Sequence, residues 1–266
     1  MRLKDRIAIV VGAGQSPGEG MGNGRATAIT FAREGAQVLC VDRNLASSEE
    51  TAAMIADKGG NAVAFQADVT QESDIKAMVH KAHVRWGRLD ILHNNVGVSL
   101  AGGDAELLAI TEQAIDNCVA INLKSCIFAA KYAIPIMRAQ KSGAIINISS
   151  MAAITTYPYV AYKATKAAMI AFTEQLAYQN AEYGIRANVI LPGLMDTPMA
   201  VDTRAKAFGK SRAEVAAARD SQVPLRHKMG TAWDVANAAL FLASDEASFI
   251  TGVTLPVDGG ASARRG

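Results

Sequence analysis

Seven short apolar runs recur along the chain, each separated from the next by a longer segment of helical period. The runs are almost continuously apolar, as expected of strands that helices cover on both faces. This rhythm predicts an α/β fold with a doubly wound, parallel, seven-stranded sheet and helices on both faces. Pro256 lies in the last run and predicts an edge strand, because proline cannot donate to a sheet ladder. The predicted strands are Ile7 to Val11, Gln37 to Val41, Ala62 to Phe65, Leu89 to Leu92, Ala144 to Ile148, Ala187 to Leu191 and Val253 to Val257.

One stretch, residues 194–230, breaks this rhythm directly after a strand end. Ligands of open α/β sheets bind at the carboxyl ends of the strands, so the stretch is a candidate substrate lid. With 266 residues and 50% hydrophobic content, we expect one domain over 1–266 that carries 194–230 as an insertion. We expect the lid's cations to form a solvated helix face, as charged surface helices usually do. These cations are Arg204, Lys206, Lys210, Arg212 and Arg219. The predicted helices are Arg25 to Glu34, Ala46 to Lys58, Gln71 to Trp86, Thr111 to Gln140, Tyr159 to Tyr183 and Ala232 to Ala243.

Charge and hydropathy narrow the function classes. Lys+Arg 27 against Asp+Glu 25 gives a formal net charge of +2, and basic residues are not clustered with aromatics, so nucleic-acid binding is not expected. The first apolar run is too short for a signal peptide, and we expect no segment able to span a bilayer. The composition therefore predicts a soluble cytoplasmic protein without a membrane partner.

The cysteines and histidines do not predict a disulfide framework or a metal site. Cys40, Cys118 and Cys126 lie in apolar segments, and an odd total disfavours disulfide pairing. We expect them to be reduced core residues. His80 and His83 share a helix turn, but no nearby carboxylate or thiol completes a ligand set, so we expect no metal.

A glycine-rich segment joins the first strand to the first helix. The strand ending at Val11 runs into Gly12 and Gly14, and Gly22-Asn23-Gly24 opens the helix. A strand, a glycine turn and a helix N-terminus together form a phosphate cradle. Gly12 and Gly24 are the strongest candidates for phosphate contacts.

Tyr162 and Lys166 are spaced as helical neighbours that share one face. A free phenol with a pKa of ~10 is ionised to roughly one part in a thousand at neutral pH. One positive charge at about 4 Å is worth ~4 kcal/mol at an effective dielectric near 20, or about three pKa units. The spacing therefore predicts a tyrosine usable as an acid or base near pH 7.

These motifs resemble the short-chain dehydrogenase/reductase family from Leu3 to about Gly260, in the family's own order. The resemblance implies a Rossmann-type fold and hydride transfer between a nicotinamide and a carbonyl or alcohol carbon. In it, Tyr162 passes a proton to or from the substrate oxygen, Ser150 donates a hydrogen bond to that oxygen, and Lys166 lowers the tyrosine pKa and holds the nicotinamide ribose. Asn122 anchors a water in a proton relay through that lysine. The implied cofactor-binding residues are Gly12, Asn23, Gly24, Asp42, Arg43, Asp68, Val69, Asn95, Val96, Gly97, Tyr162, Lys166, Pro192, Gly193 and Thr197.

Two features depart from the family pattern. The glycine turn carries extra residues at 15–21, and Val11 stands where the family has threonine. We expect a tolerated surface bulge, with added backbone donors or a wall beside the nicotinamide as the alternative. Ser149 and Ser150 also compete for one role, because adjacent strand residues face opposite sides. We choose Ser150, although the family's usual interval to the tyrosine favours Ser149.

Asp42, at the end of the second strand, predicts NAD as the cofactor. A carboxylate there accepts hydrogen bonds from the adenosine ribose and repels a 2′-phosphate. Arg43 could accommodate that phosphate, so NADP stays the less favoured alternative.

The substrate is predicted less sharply than the cofactor. We favour a small secondary alcohol, polyol or sugar over the acyl-carrier-protein ketoreductases of the family, because the helix around Glu174 and Glu182 is neutral to acidic. A non-catalytic dinucleotide sensor is the alternative of another class. The resemblance also implies a homo-oligomer, specifically a homotetramer.

Overall fold

A parallel sheet of seven strands forms the centre of the protein. The computed structural model describes residues 1–263. The strands are β1 (Ile7–Val11), β2 (Gln37–Asp42), β3 (Asn61–Gln66), β4 (Ile91–Asn94), β5 (Gly143–Ile148), β6 (Ile185–Pro192), β7 (Met195–Asp196), β8 (Gly230–Thr231) and β9 (Thr254–Val257). Seven of them form one sheet in the order β3-β2-β1-β4-β5-β6-β9, and β7 pairs with β8. The predicted doubly wound sheet is confirmed, and β9, which contains Pro256, lies at its edge.

Helices cover both faces of the sheet. They are α1 (Asn23–Arg33), α2 (Leu45–Ala56), α3 (Glu72–Trp86), α4 (Glu112–Val119), α5 (Ser125–Gln140), α6 (Val160–Asn180), α7 (Asp202–Phe208), α8 (Arg212–Asp220) and α9 (Ala232–Ala243). One core contains Phe31 of α1 and Val235 of α9. The other contains Met78 of α3, Ala133 of α5 and Leu176 of α6. Because each face has its own apolar core, every central strand is buried on both sides, which explains the continuous apolar runs.

The predicted helix from Thr111 to Gln140 is divided by a π-helical turn at Ala120–Lys124. The run Glu112–Gln140 is also long and apolar enough, by length and composition, to cross a membrane, contrary to the sequence expectation. Its apolar face lies in the core instead, where Ala133 and Met137 are fully buried. Buried core helices can also meet these criteria of length and composition, so the run is weak evidence for a membrane span.

The candidate lid, residues 194–230, contains β7, α7 and α8 and has a small apolar core of its own. That core is formed by Val201, Ala205, Val215, Val223 and Met229. The segment begins after β6 and returns to the fold at β8, where Gly230 donates its N–H to the oxygen of Leu194. The lid therefore packs as a unit beside the carboxyl end of β6.

Candidate active site

Tyr162 lies in the first turn of α6, and a carboxylate from a distant loop caps that turn. Tyr159, which precedes the helix, makes no capping side-chain hydrogen bond. Instead, the backbone N–H groups of Ala161 and Tyr162 donate to the two oxygens of Asp104, at 2.9 and 3.0 Å. Asp104 is buried, and a helix N-terminus favours a negative charge. Asp104 therefore fixes the backbone that carries Tyr162, a contact that the sequence reasoning missed.

Lys166 lies one helical turn beyond Tyr162 on the same face. Its Nζ is 5.8 Å from the centroid of the Tyr162 ring and donates to the backbone oxygen of Ile148 at 2.7 Å. The side chain is 2% exposed, and burial lowers its pKa to about 8. A Cβ on Gly97 would lie 3.0 Å from this Nζ, so a side chain at residue 97 would crowd the ammonium.

The two competing serines face opposite sides of the chain. Ser149 is buried, and its Oγ donates to the backbone oxygen of Lys166 at 2.7 Å. Ser150 is partly exposed, accepts the N–H of Ala152 at 3.1 Å, and lies close enough to Tyr162 for its hydroxyl to lower the pKa of the phenol. The geometry thus gives Ser149 a structural partner and brings Ser150 to the phenol.

The electrostatics of Tyr162 differ from the expectation. Burial raises the pKa of Tyr162 to about 12, while the hydrogen bond with Ser150 and the charge of Arg204 oppose the rise. The predicted lowering of this pKa by Lys166 is therefore wrong for this arrangement. Loss of solvation outweighs the nearby positive charges, and the ammonium is directed at Ile148. At neutral pH the phenol is protonated, which is the form that donates a proton.

Asn122 lies in the π-helical turn and is completely buried. Its Oδ1 accepts the N–H of Val98 at 2.7 Å, and its Nδ2 donates to the oxygen of Val98 at 2.9 Å and to Thr165 at 3.1 Å. π-turns occur often at functional sites. The amide of Asn122 holds the segment that follows β4 against the first turns of α6.

The glycine turn fits a dinucleotide. Gly12 has a φ of +80°, which favours glycine, and its carbonyl accepts from Asn95 Nδ2 at 3.2 Å. A Cβ on Gly24 would collide with that same carbonyl. Asn23 opens α1, and its Oδ1 is buried with no hydrogen-bond partner among residues 1–263. An orphaned acceptor beside a helix N-terminus and a tight glycine turn matches the hydroxyl and phosphate groups of a bound dinucleotide.

Asp42 lies at the carboxyl end of β2, next to this turn. Its Oδ2 accepts the N–H of Gly14 at 3.1 Å, and its Oδ1 accepts that of Asn44 at 3.0 Å. Each carboxylate oxygen keeps a second lone pair for a ribose hydroxyl. Arg43 is exposed and borders a surface depression shared with Gln66 and Asp68.

The other residues predicted to bind the cofactor also follow strand ends. Asp68 and Val69 follow β3, and Asp68 accepts from the backbone and hydroxyl of Thr70. Pro192 ends β6, and a Cβ on the following Gly193 would meet Asp258. The structure brings the predicted set to one edge of the sheet. Its remaining members are Asn95, Val96 and Gly97 after β4 and Thr197 after β7.

The extra residues of the glycine turn, 15–21, lie against the lid. The N–H of Glu19 donates to Asp202 at 3.3 Å, and its carboxylate is 3.8 Å from Arg212. Arg212 also pairs with Asp202 at 3.4 Å and Asp196 at 2.5 Å. Residues 16–20 are exposed, as expected of a surface bulge, but charged contacts also join this loop to the lid.

The lid's cations do not form one solvated face. Lys206 and Lys210 are exposed, as expected, whereas Arg212 is paired with carboxylates. Arg204 and Arg219 are half-buried, and neither lies within 4.0 Å of a carboxylate among residues 1–263. Their charge acts on the site, since Arg204 lowers the pKa of Tyr162. Helical spacing alone could not separate these two arginines from the solvated lysines.

The cysteines are buried and unpaired in disulfides, and burial raises the pKa of each thiol. Within 1–263, no three His, Cys, Asp or Glu side chains are grouped so as to hold a metal ion. The organised chemistry described above consists of tyrosine, serine, lysine and asparagine at the carboxyl edge of the sheet.

Comparisons with known proteins agree with this arrangement. A family model described as enoyl-(acyl carrier protein) reductase matches residues 19–262. A crystal structure described as a short-chain dehydrogenase/reductase from Burkholderia xenovorans superposes with a TM-score of 0.90 at 40% identity, covering 100% of this chain and 99% of that one. The chain belongs to the short-chain dehydrogenase/reductase family. It is accordingly an oxidoreductase of the type that acts on CH–OH groups.

Relatives in this family carry different activities. The chain is 33% identical over 261 residues to the 3-oxoacyl-[acyl-carrier-protein] reductase FabG of Thermotoga maritima, covering 98% of this chain and 99% of the relative. It is 32% identical over 265 residues to levodione reductase of Leifsonia aquatica, covering 98% of this chain and 96% of the relative. The family is therefore shared while the named substrates differ.

Proposed function

We propose that this protein is an NAD-dependent oxidoreductase that interconverts a small secondary alcohol, polyol or sugar and its ketone, with Tyr162 as the general acid and base. The observation that carries the proposal is the position of Tyr162, with Lys166 Nζ 5.8 Å from its ring and Ser150 close to its phenol, at the same edge of the sheet as a glycine turn shaped for a dinucleotide. Family membership gives the reaction class, and these contacts support the individual roles.

The chain's own residues handle the proton and the geometry. When bound, the dinucleotide supplies the hydride for reduction or accepts it in oxidation. During reduction, Tyr162 donates its proton to the carbonyl oxygen while Ser150 donates a hydrogen bond to that oxygen. Lys166 holds the nicotinamide ribose and can return a proton to Tyr162. General acid catalysis of this kind contributes about 10²- to 10⁴-fold in rate.

We propose a supporting role for Asn122 in addition to the water relay that the family resemblance implies. Its amide holds Val98 and Thr165 together, and Gly97 lies next to the ammonium of Lys166. Asn122 therefore supports the segment against which Lys166 packs. A water bound to a neighbouring carbonyl remains part of the proposal as the route from Lys166 to solvent.

Asp42 supports NAD as the cofactor. Two backbone N–H groups hold its carboxylate at the end of β2, so the negative charge cannot swing away from a 2′-phosphate without breaking both hydrogen bonds. Arg43 lies on the exposed side of this carboxylate. We expect kcat/KM to be at least about tenfold higher with NAD than with NADP. The reason is that repulsion between the Asp42 carboxylate and the 2′-phosphate exceeds ~1.4 kcal/mol, the energy of a tenfold ratio.

The FabG relative favours one second candidate, an acyl-carrier-protein ketoreductase that uses NADPH. A non-catalytic sensor is less favoured, because the tyrosine, serine, lysine and asparagine of the site are all present at the same edge of the sheet. We further propose that the protein works in the cytoplasm as a homotetramer, with residues 1–266 forming one domain.

A spectrophotometric screen at 340 nm tests this function. Both NAD and NADP are offered with alcohols, polyols, sugars, hydroxy acids and a 3-oxoacyl thioester, and Asp42→Ala and Arg43→Ala are run alongside. NAD-linked turnover of a free small molecule, with NAD preference reduced in Asp42→Ala alone, supports the proposal. A preference for NADP and the thioester favours the ketoreductase. Tight NADH binding with no turnover across the panel favours the sensor.

A further inference from the structure

Two arginines of the lid are half-buried and have no carboxylate partner within residues 1–263. Arg204 lies on α7 and donates from Nη1 to the oxygen of Ala200 at 3.0 Å. Arg219 lies in the last turn of α8, and its Nε is buried with no hydrogen-bond partner among residues 1–263. Burying an unpaired guanidinium donor is unfavourable, so such an atom indicates a missing acceptor.

The two arginines lie on neighbouring helices of the lid that share one small apolar core, and their charges act on each other and on the tyrosines of the site. Burial, and then the charge of Arg204, lower the pKa of Arg219 to about 10, whereas Tyr157 and Asp196 act in the opposite direction. Tyr157 connects them to the chemistry, because its ring centroid is 5.5 Å from that of Tyr162. Two like charges that act on each other and on the Tyr157–Tyr162 pair repel each other, and an anion bound between them would remove that repulsion.

The rest of the lid shows that the lack of a carboxylate partner is particular to the two arginines, although the Nε of Arg212 also makes no hydrogen bond within residues 1–263. Arg212, on the same helix as Arg219, is surrounded by Glu19, Asp196 and Asp202. Lys228 pairs with Asp220. A cation of the lid is therefore either exposed or paired within the chain, and Arg204 and Arg219 alone among the lid cations discussed above are neither.

We infer that Arg204 and Arg219 bind an anionic group of the substrate, a carboxylate or a phosphate ester, and that the substrate is a hydroxy acid or an anionic sugar derivative instead of a neutral alcohol. The inference rests on the proposed function, since it places the anion beside the carbon that Tyr162 serves. Guanidinium forks match planar carboxylates and phosphates with paired, charge-assisted hydrogen bonds. Substrate binding would thus supply the acceptor that the buried Nε of Arg219 lacks.

Binding in a non-reactive complex tests the inference without requiring turnover. NADH-saturated protein is titrated calorimetrically with short secondary hydroxy acids, their methyl esters, polyols, polyol phosphates and inorganic phosphate. We expect an acid or a phosphate ester to bind at least about 30-fold more tightly than its neutral counterpart. Arg204→Gln and Arg219→Gln should each reduce that affinity about 10- to 100-fold, the range for losing a hydrogen bond to a charged group.

Lys206→Gln, an exposed cation on α7, is the matched control and should change affinity less than twofold. If Arg219→Gln folds poorly, Arg219→Lys is the second variant, because it keeps the charge and should retain part of the affinity. Its melting temperature is measured to check that it folds. Equal binding of acids and esters, or binding of inorganic phosphate only, would overturn the inference. An equal loss of NADH affinity in the arginine variants would assign them to the cofactor and overturn it too. Acids that bind through the two arginines but are never oxidised would uphold the anion site while refuting the proposed function and the assignment of the acid as substrate.

Discussion

The first turns of α6 and the lid both bring positive charge to the same edge of the sheet, but the two regions differ in the partners that the chain supplies to their cations. Lys166 is almost fully buried, and the chain itself supplies its acceptor, the oxygen of Ile148. Arg204 and Arg219 of the lid are partly buried without a carboxylate partner in the described chain. The difference teaches that the α6 region is organised before a ligand arrives, whereas the lid has donors in excess that a ligand can satisfy.

Removing the hydroxyl of Ser150 should reduce kcat strongly, whereas removing that of its neighbour Ser149 should not. Ser150→Ala is expected to lower kcat about 100-fold, because the hydroxyl that lowers the pKa of Tyr162 and is proposed to donate to the reacting oxygen is lost. Ser149→Ala, the matched control, should keep kcat within about fivefold, since its Oγ contacts only the backbone of Lys166. Steady-state rates decide the matter, and a larger loss in Ser149→Ala would reverse the assignment.

Lys166 should be important for activity and unfavourable for stability. Burial lowers its pKa from 10.5 to about 8, which corresponds to a destabilisation of roughly 3 kcal/mol at pH 7. Lys166→Met also removes a hydrogen bond worth about 1 kcal/mol, so the variant should be inactive yet more stable by roughly 2 kcal/mol.

The pH dependence of this gain has a definite sign. The folded state disfavours the proton on Lys166, so the penalty is complete below pH 8 and disappears as the pH rises to 10.5. Urea unfolding at pH 7 and at pH 10 should show the advantage of Lys166→Met shrinking at the higher pH. An advantage that is constant with pH would show that the buried charge is not its cause.

Asp104 should act as a positioning residue for Tyr162. Asp104→Asn keeps one acceptor where two N–H groups need one each, and we expect kcat to fall about tenfold and stability to fall by about 1 kcal/mol. Because the Asp104 charge raises the pKa of Tyr162, the pH profile for alcohol oxidation should also move to lower pH in the variant. Loss of stability with an unmoved pH profile would indicate a purely structural role.

The ion pairs between the glycine loop and the lid should have the smallest effect. Arg212→Gln removes contacts with three carboxylates, and partly exposed pairs contribute about 0.2–1 kcal/mol each. We expect KM for the cofactor and for the substrate to rise together about threefold, with kcat nearly unchanged. Lys210→Gln is the control, and an unchanged KM in Arg212→Gln would show that the contact does not hold the lid.

The same two regions show what the sequence could and could not predict. The seven-stranded doubly wound sheet and the approach of Tyr162 and Lys166 follow from local patterns, namely apolar runs and helical spacing, whereas Ser150 was chosen on the family resemblance. Asp104 was missed because it reaches α6 through a loop contact distant in sequence. The absence of Ser, Thr, Asp or Asn before the helix was the one available signal, since Tyr159 cannot cap it.

Electrostatics were predicted least well. The raised pKa of Tyr162 depends on burial, which outweighs the neighbouring charge that the spacing suggested. The lid arginines were expected to be solvated because their spacing matches that of the exposed lysines. Only the packing of α7 and α8 over the site distinguishes Arg204 and Arg219 from Lys206 and Lys210.

Hydride transfer by Tyr162→Phe and Tyr157→Phe, measured side by side with NADH affinity, tests the central claim most directly. The two rings are neighbours, but the Tyr157 hydroxyl forms a hydrogen bond with Ser99, whereas the Tyr162 phenol lies close to Ser150. Proton transfer by Tyr162 predicts a loss of about 10²- to 10⁴-fold in kcat/KM for Tyr162→Phe, with NADH affinity within about twofold of the unaltered protein. Tyr157→Phe should keep most of the rate. Near-full activity in Tyr162→Phe, or an equal loss in both variants, would contradict the account.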